Sequence, residues 1–245
     1  MAAKLTDYKV LTFDCYGTLI DWESGIWDAL QPLLSANDRS DITRARALEA
    51  FARFENEQES ETPDMLYPKL LTSVHTAIAA HFDLKTTSQL DADFGDSVVL
   101  WPAFPDTADA LRYLKTRYKL AILSNVSRDG FAASNRKLGV TFDAIYTAED
   151  IGSYKPDPAN FRYMLMRLRE DHGFEPSDIL HTAQSLFHDH VPAKRLGLAN
   201  AWIDRQRLSE SGEWGATAKV EEHPETDFLF FSMGEMAKAV RDESA

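Results

Sequence analysis

Polar residues that could do chemistry stand at the ends of several short apolar runs of the sequence. In chain order they are Asp14, Ser124, Asn125, Lys155 and Asp189. An acid that ends an apolar run next to a Gly-Thr turn is more typical of a functional residue than of a simple turn cap. Together the five residues supply two carboxyls, a hydroxyl, an amide and an ammonium group, and this set predicts a catalytic site.

These side chains can meet only if the apolar runs form neighbouring strands of one sheet. The predicted strands are residues 8–14, 118–125, 144–148, 178–183, 199–204 and a last short strand, FLFF, near residue 230. Helical patterns separate most of them, and this alternation predicts an α/β protein with a parallel sheet covered by helices. In such a sheet the carboxyl ends of the strands form the ligand crevice, where the polar residues above are expected.

Residues 21–100 interrupt the alternation of strands and helices. They contain four segments with helical periodicity and no convincing strand. We therefore predict a helical cap over 21–100, inserted into a core formed by residues 1–20 and 101–245. The segment WPAFPD, with two prolines, is the expected return linker.

Composition narrows the possible partners and location. The chain has 245 residues, of which 44% are hydrophobic, so we expect a substantial core. Its formal net charge is −13, so we expect no nucleic-acid partner. Cys15 is the only cysteine, which fits a reducing compartment and excludes internal disulfides. No apolar run approaches the length of a membrane span and the start lacks the pattern of a signal peptide, so we expect a cytoplasmic protein without a membrane partner.

Four motifs, in order, resemble those of the haloacid dehalogenase superfamily. They are DCYGTL at residues 14–19, LSNVS at 123–127, YKPDP at 154–158 and the downstream Asp189. Phosphatases of that superfamily usually carry Asp-x-Asp-Gly-Thr in the first motif, whereas type II L-2-haloacid dehalogenases typically carry Asp-x-Tyr-Gly-Thr, as this chain does. The resemblance implies a Rossmann-like core with a four-helix cap.

The resemblance also implies a mechanism for small 2-haloalkanoic acids. Asp14 would attack C2 and expel halide, and water would then hydrolyse the aspartyl ester. Lys155 would keep Asp14 ionised, Thr18 and Ser124 would orient it, and Asp189 would position the hydrolytic water. A halide leaves without a proton, so the second acid of a phosphatase is not needed at Tyr16.

The expected substrate-binding residues are Tyr16, Asn125, Arg53, Ser185 and His188. Arg53 is the counterpart of the cap arginine of the family, with Arg46 as its competitor, although a helical face rich in glutamates is more often solvated. Two positions depart from the family pattern, because Leu186 replaces the usual Asn and Phe161 replaces the usual Tyr.

We expect no metal or cofactor, and a short halocarboxylate as the small-molecule partner. Two alternatives stay open at this point. The chain could be a Mg²⁺-dependent phosphatase on the same scaffold, or a catalytically weak relative that binds a small carboxylate or a protein. A homodimer formed through the cap is plausible for the family.

Overall fold

The structure is a computed structural model that describes residues 3–244, and its centre is a parallel sheet. The sheet has six strands in the order β3-β2-β1-β4-β5-β6. The predicted α/β fold is therefore confirmed. The strands are β1 (Val10–Phe13), β2 (Lys119–Ser124), β3 (Ala144–Thr147), β4 (Ile179–Ala183), β5 (Ala199–Ile203) and β6 (Phe228–Phe230).

The middle strands form because they can bury both of their faces. Every residue of β1 and of β4 is buried, as expected for strands with helices on both sides. β1 lies between β2 and β4, and Val10 is in register with Lys119 on one side and with Ile179 on the other. These three strands therefore end at neighbouring points of one sheet edge.

Helices surround the sheet and also fill the interval between β1 and β2. Those of the interval are α1 (Trp22–Ala36), α2 (Arg44–Glu61), α3 (Tyr67–His81) and α4 (Ser88–Gly95). The helices that follow are α5 (Thr107–Leu114), α6 (Arg128–Leu138), α7 (Ala148–Ile151), α8 (Pro158–His172), α9 (Val191–Arg195) and α10 (Met233–Glu243). None of the helices within the described residues has both the length and the apolar character that crossing a bilayer requires.

The helices α1 to α4 form the helical cap that the sequence predicts. Local signals fix their ends: Asp21 caps the start of α1 through the backbone N–H of Ser24, and Thr43 caps α2 through that of Arg46. α3 packs against both α2 and α4. The exact division of the chain at residues 20/21 and 100/101 stays a prediction, and residues 1, 2 and 245 of its core segments lie outside the described residues.

The chain enters the cap and returns from it through two adjacent segments. Ile20 forms an antiparallel bridge with Ala103, and the backbone N–H of Asp21 donates to the carbonyl of Pro102 at 2.8 Å. The outgoing and returning chains are thus held together by backbone hydrogen bonds. This pairing fixes where the cap stands relative to the end of β1.

Candidate active site

Asp14, Lys155 and Asp189 meet in one buried cluster. The Nζ atom of Lys155 donates to Oδ1 of Asp14 at 2.9 Å and to Oδ1 of Asp189 at 2.7 Å. It also donates to the backbone carbonyl of Leu123 at 3.0 Å. An ammonium group has three donors, so all of them are engaged, and the position of Nζ between the two carboxyls is fixed.

The turn after β1 fixes the second oxygen of Asp14. Gly17 has φ of 96°, a left-handed conformation that suits glycine, and the turn brings Thr18 back onto Asp14. Oγ1 of Thr18 donates to Oδ2 of Asp14 at 2.8 Å and accepts from the backbone N–H of Gln184 at 2.9 Å. Both carboxyl oxygens of Asp14 therefore have a donor, and its side chain is held in one orientation.

Asp189 is held by a histidine that the sequence analysis did not assign to the site. Nε2 of His181, on β4, lies 3.0 Å from Oδ1 of Asp189, and its Nδ1 lies 2.9 Å from Oγ1 of Thr12. Phe161, at the position of the family tyrosine, packs edge-on against the His181 ring. Asp189 itself belongs to a single π-helical turn, Leu186–His190. Its Oδ2 is buried and has no hydrogen-bond partner among residues 3–244.

The three charges of the cluster shift one another's pKa. Burial raises the pKa of Asp14, Asp189 adds to this effect, and Lys155 and Thr18 oppose it. Burial alone would lower the pKa of Lys155, but the two carboxylates outweigh it and raise that pKa. Burial acts upward on Asp189 too, yet Lys155 and His181 bring its pKa below the usual range. Lys155 and Asp189 are thus held ionised, and Asp14 is the more basic of the two carboxyls.

This cluster borders a cavity of about 90 Å³ between the sheet edge and the cap. The small volume suits a substrate of a few carbon atoms. The residues that the sequence assigned to the site and that line this cavity are Asp14, Tyr16, Asn125, Lys155, Ser185, His188 and Asp189. Their assigned roles in catalysis or binding stay predictions.

Tyr16 and Asn125 are held in place from behind the cavity. The Tyr16 hydroxyl lies 3.0 Å from Oγ of Ser134, and its ring stands edge-on to Trp101. Oδ1 of Asn125 accepts from the backbone N–H of Lys155 at 2.7 Å, and its Nδ2 donates to the carbonyl of the same residue at 3.0 Å. Asn125 therefore positions the lysine backbone as well as bordering the cavity.

Ser185 and His188 form a short hydrogen-bonded pair at the start of the π-helical turn. Oγ of Ser185 accepts from the backbone N–H of His188 at 3.1 Å and lies 3.1 Å from its Nδ1. Burial lowers the pKa of His188 to about 4, so its imidazole is neutral near pH 7. Its Nε2 is buried without a hydrogen-bond partner among the described residues, which leaves one ring nitrogen available.

Ser124 is close to the cluster in the fold but does not border the cavity. It is the last residue of β2, next to Leu123, whose carbonyl contacts Lys155. Its hydroxyl is buried and has no hydrogen-bond partner among residues 3–244. The structure thus places Ser124 behind the cavity wall, and Asn125 presents the polar group of this motif to the cavity.

The expectation that Arg53 reaches the cavity is wrong. Its side chain is 50% exposed, and its guanidinium group lies over the ring of Phe54 at 4.3 Å. Its competitor, Arg46, lies over Phe82 and does not border the cavity either. Successive residues of a helix are about 100° apart, so an arginine next in sequence to a lining residue of α2 points sideways.

Two glutamates of α2, on a helical face that was expected to be solvated, border the cavity instead. Oε1 of Glu55 accepts from the Tyr67 hydroxyl at 2.6 Å, and Oε1 of Glu59 accepts from Nδ2 of Asn125 at 3.3 Å. The signal that could have found them is their helical spacing, which puts residues i, i+3, i+4 and i+7 on one face. The α2 residues that line the cavity are Ala52, Glu55, Asn56 and Glu59.

The described residues contain no group of three or more His, Cys, Asp or Glu side chains arranged to hold a metal ion. In the cluster itself, the Lys155 ammonium stands between Asp14 and Asp189. The arrangement can therefore place the carboxyl group of Asp14, next to the fixed positive charge of Lys155, against a small substrate under the cap. That is the arrangement needed for nucleophilic attack by a carboxylate.

The chain is similar to a known family of hydrolases and to curated proteins of named activity. A family model described as a haloacid dehalogenase-like hydrolase matches residues 8–182. The (S)-2-haloacid dehalogenase 4A of Burkholderia cepacia is 28% identical over 203 residues, which cover 81% of this chain and 84% of that protein. The (S)-2-haloacid dehalogenase of Pseudomonas putida is 27% identical over 206 residues, covering 80% of this chain and 84% of that protein.

Solved structures show the same fold. The L-2-haloacid dehalogenase of Xanthobacter autotrophicus superposes with a TM-score of 0.77 at 21% identity, over 96% of this chain and 99% of that one. The same enzyme with chloropropionic acid covalently bound gives a TM-score of 0.75 at 20% identity, over 96% of this chain and 98% of that one. At these identities the likeness establishes the fold, including the helical cap.

Proposed function

Because this chain belongs to the haloacid dehalogenase-like hydrolase family, we propose that it hydrolyses the carbon–halogen bond of small 2-haloalkanoic acids, with Asp14 as the nucleophile. The observation that carries the proposal is the contact of the Lys155 ammonium with Asp14, at 2.9 Å, beside a cavity of a few carbon atoms' volume. The named activity of the curated relatives supports the same reaction.

In the first step the Asp14 carboxylate attacks C2, and the halide leaves with the bonding electron pair. An ester forms between Asp14 and the substrate, with inversion at C2. Lys155 favours the ionised nucleophile, since unit charges about 4 Å apart interact by roughly 4 kcal/mol at an effective dielectric near 20. Thr18 holds the second carboxyl oxygen, which fixes the direction of attack.

In the second step water attacks the carbonyl carbon of the Asp14 ester and releases a 2-hydroxy acid. Asp189 would position this water, because its side chain borders the cavity and its Oδ2 accepts no hydrogen bond from the described residues. The usual family asparagine is replaced here by buried Leu186, so Asp189 would act without that amide. The carboxylate of Asp14 is regenerated when the carbonyl–oxygen bond to the substrate breaks.

We also propose that the reaction needs no metal ion or other cofactor. At position 16 a phosphatase of this superfamily would carry its second acid, whereas here Tyr16 presents an aromatic ring held by Ser134. A leaving halide requires no proton, and a carboxylate substrate carries less charge than a phosphate ester, so neither a second acid nor a cation is needed to offset charge.

The proposal is tested by halide release. Incubation with 2-chloro- and 2-bromopropionate should release chloride or bromide in step with the 2-hydroxy acid, and Asp14→Asn should abolish release. An aspartyl ester on Asp14 should be detectable by mass spectrometry after rapid quenching. The proposal fails if a panel of short 2-haloacids, with and without polar substituents, gives no halide.

Two further expectations remain proposals. We propose a cytoplasmic location, which fits a single buried free cysteine, Cys15. We propose that the chain self-associates as a homodimer through the cap, which light scattering of the purified protein would test. A monomer at all concentrations used for the assay would contradict the second of these.

A further inference from the structure

The described lining of the cavity carries more acidic than basic groups. Its carboxyl groups are those of Asp14, Glu55, Glu59 and Asp189, and its one cationic side chain is Lys155. The Lys155 ammonium already donates to two carboxyls and a backbone carbonyl. No cationic side chain of the described lining is therefore left over to bind an additional negative group on the cap side.

Glu55 and Glu59 form an acidic pair on the cap wall. They are one helical turn apart on α2 and face the same way. Each has one oxygen hydrogen-bonded to a neutral donor, the Tyr67 hydroxyl for Glu55 and the Asn125 amide for Glu59. The second oxygen of each makes no hydrogen bond to the described residues, although both side chains border the cavity.

Burial makes this pair costly without a positively charged partner. Glu59 is only 9% exposed, and no Lys or Arg forms a salt bridge with either glutamate among residues 3–244. Burial raises the pKa of Glu55 to about 7, and burial together with the nearby Glu55 raises that of Glu59 well above its ordinary value. A cation placed between the two carboxyls would remove the like-charge repulsion and let both ionise.

Resting on the proposed function, we propose that Glu55 and Glu59 bind a protonated amine of the substrate, so that the substrates are short 2-haloacids carrying an amino group at the far end of the chain. The halogen-bearing carbon then lies against Asp14 on the sheet side, and the amine lies against the cap. Asn125 links the two regions, because its Nδ2 contacts both Glu59 and the backbone carbonyl of Lys155.

The subsite is tested first by binding, without any chemistry. Wild-type protein is titrated calorimetrically with 4-aminobutyrate and with butyrate, which differ only in the amine and carry no halogen. We expect 4-aminobutyrate to bind at least about tenfold more tightly, a difference of about 1.4 kcal/mol in binding free energy. Equal affinities, tighter binding of butyrate, or no detectable binding of 4-aminobutyrate would overturn the inference.

The variants Glu55→Gln and Glu59→Gln keep the shape of the wall and remove its charge. Either should weaken 4-aminobutyrate binding and leave or improve that of butyrate. Glu57→Gln is the matched control, because Glu57 lies on the same helix, is 58% exposed and pairs with Arg53 outside the cavity. If the cavity variants bind 4-aminobutyrate as tightly as this control, the acidic pair is not the amine site.

Turnover separates this inference from the proposed function. With 2-chloro-4-aminobutyrate and 2-chlorobutyrate, we expect kcat/KM to favour the amine in the wild type and the unsubstituted acid in Glu59→Gln. Chloride release from both acids without such a reversal would leave the proposed reaction standing and overturn the amine subsite. Amine-selective binding without chloride release from either acid would support the amine subsite and overturn the proposed reaction.

Discussion

Nζ of Lys155 lies 2.9 Å from Oδ1 of Asp14, although the two residues are 141 positions apart in the chain. The contact forms because Asp14 directly follows β1, which lies next to β2, and the loop ahead of α8 returns over the end of β2. The remaining donors of the ammonium group contact Leu123 and Asp189. One side chain thus joins three separate segments of the sheet edge.

Replacing Lys155 by Met should nearly abolish halide release. The change keeps the length of the side chain but leaves Asp14 and Asp189 facing each other, so the pKa of Asp14 should rise further and the nucleophile should be protonated. We expect kcat to fall roughly a hundred- to thousand-fold and the free energy of unfolding to fall by about 3 to 5 kcal/mol. Lys238→Met, at an exposed lysine of α10, is the control and should change neither quantity. Activity near that of the control would show that the ammonium is not needed.

Replacing Thr18 by Val should slow the chemical step with little effect on KM. The variant has nearly the same shape but loses the donor to Oδ2 of Asp14 and the acceptor for the backbone N–H of Gln184. Leaving such buried groups unpaired costs about 1 to 3 kcal/mol of stability, and a looser Asp14 should lower kcat by roughly tenfold or more. Single-turnover halide release and thermal unfolding measure the two effects. Thr76→Val, at an exposed threonine of α3, serves for comparison, and equal kcat in both variants would contradict the positioning role.

Replacing Arg53 by Ala should leave turnover within about twofold of the wild type, since its side chain points away from the cavity. Asn56→Ala, on the cavity face of the same helix, should raise KM because a polar group of the cavity wall is lost. Steady-state kinetics with 2-chloropropionate compare the two variants. A large loss of activity in Arg53→Ala alone would mean that the cap rearranges to bring the arginine to the substrate.

Stability should depend on pH through Glu55. Its pKa rises from 4.5 to about 7 in the folded protein, so between those values the folded state binds more protons than the unfolded state. Stability should therefore fall as pH increases from about 4.5 to about 7, by on the order of 3 kcal/mol. Glu55→Gln should remove that loss of stability. Urea unfolding at several pH values measures the free energy of unfolding of both proteins. Glu57→Gln is the control for removing one carboxylate. Parallel pH profiles of the wild type and Glu55→Gln would contradict the raised pKa.

Removal of divalent cations should not change halide release. Dialysis against EDTA, followed by assay with and without added Mg²⁺, should give rates within about twofold of each other, because the proposed chemistry requires no cation. The same preparations should not release phosphate from short phosphate esters. Phosphate release that disappears with EDTA and returns with Mg²⁺ would instead support the phosphatase reading of this fold.

The sequence alone was enough to predict the sheet and the edge of it that carries the candidate site. Apolar runs between helical segments predicted all six strands, and the polar residues after them marked the edge where Asp14, Lys155 and Asp189 meet. These features are local, because strand burial and turn chemistry are visible in a few consecutive residues. The residue types of the four motifs and their order also indicated the correct family.

Only the tertiary structure decided which side of α2 faces the cavity. The sequence contains both arginines and glutamates along that helix, and the cap's packing on the sheet turned Glu55 and Glu59 inward and Arg53 outward. It also decided that His181 supports Asp189, since a strand residue acquires such a partner only when a later turn folds back onto it. Orientation and long-range contacts of this kind depend on how whole elements pack, and no short stretch of sequence contains that information.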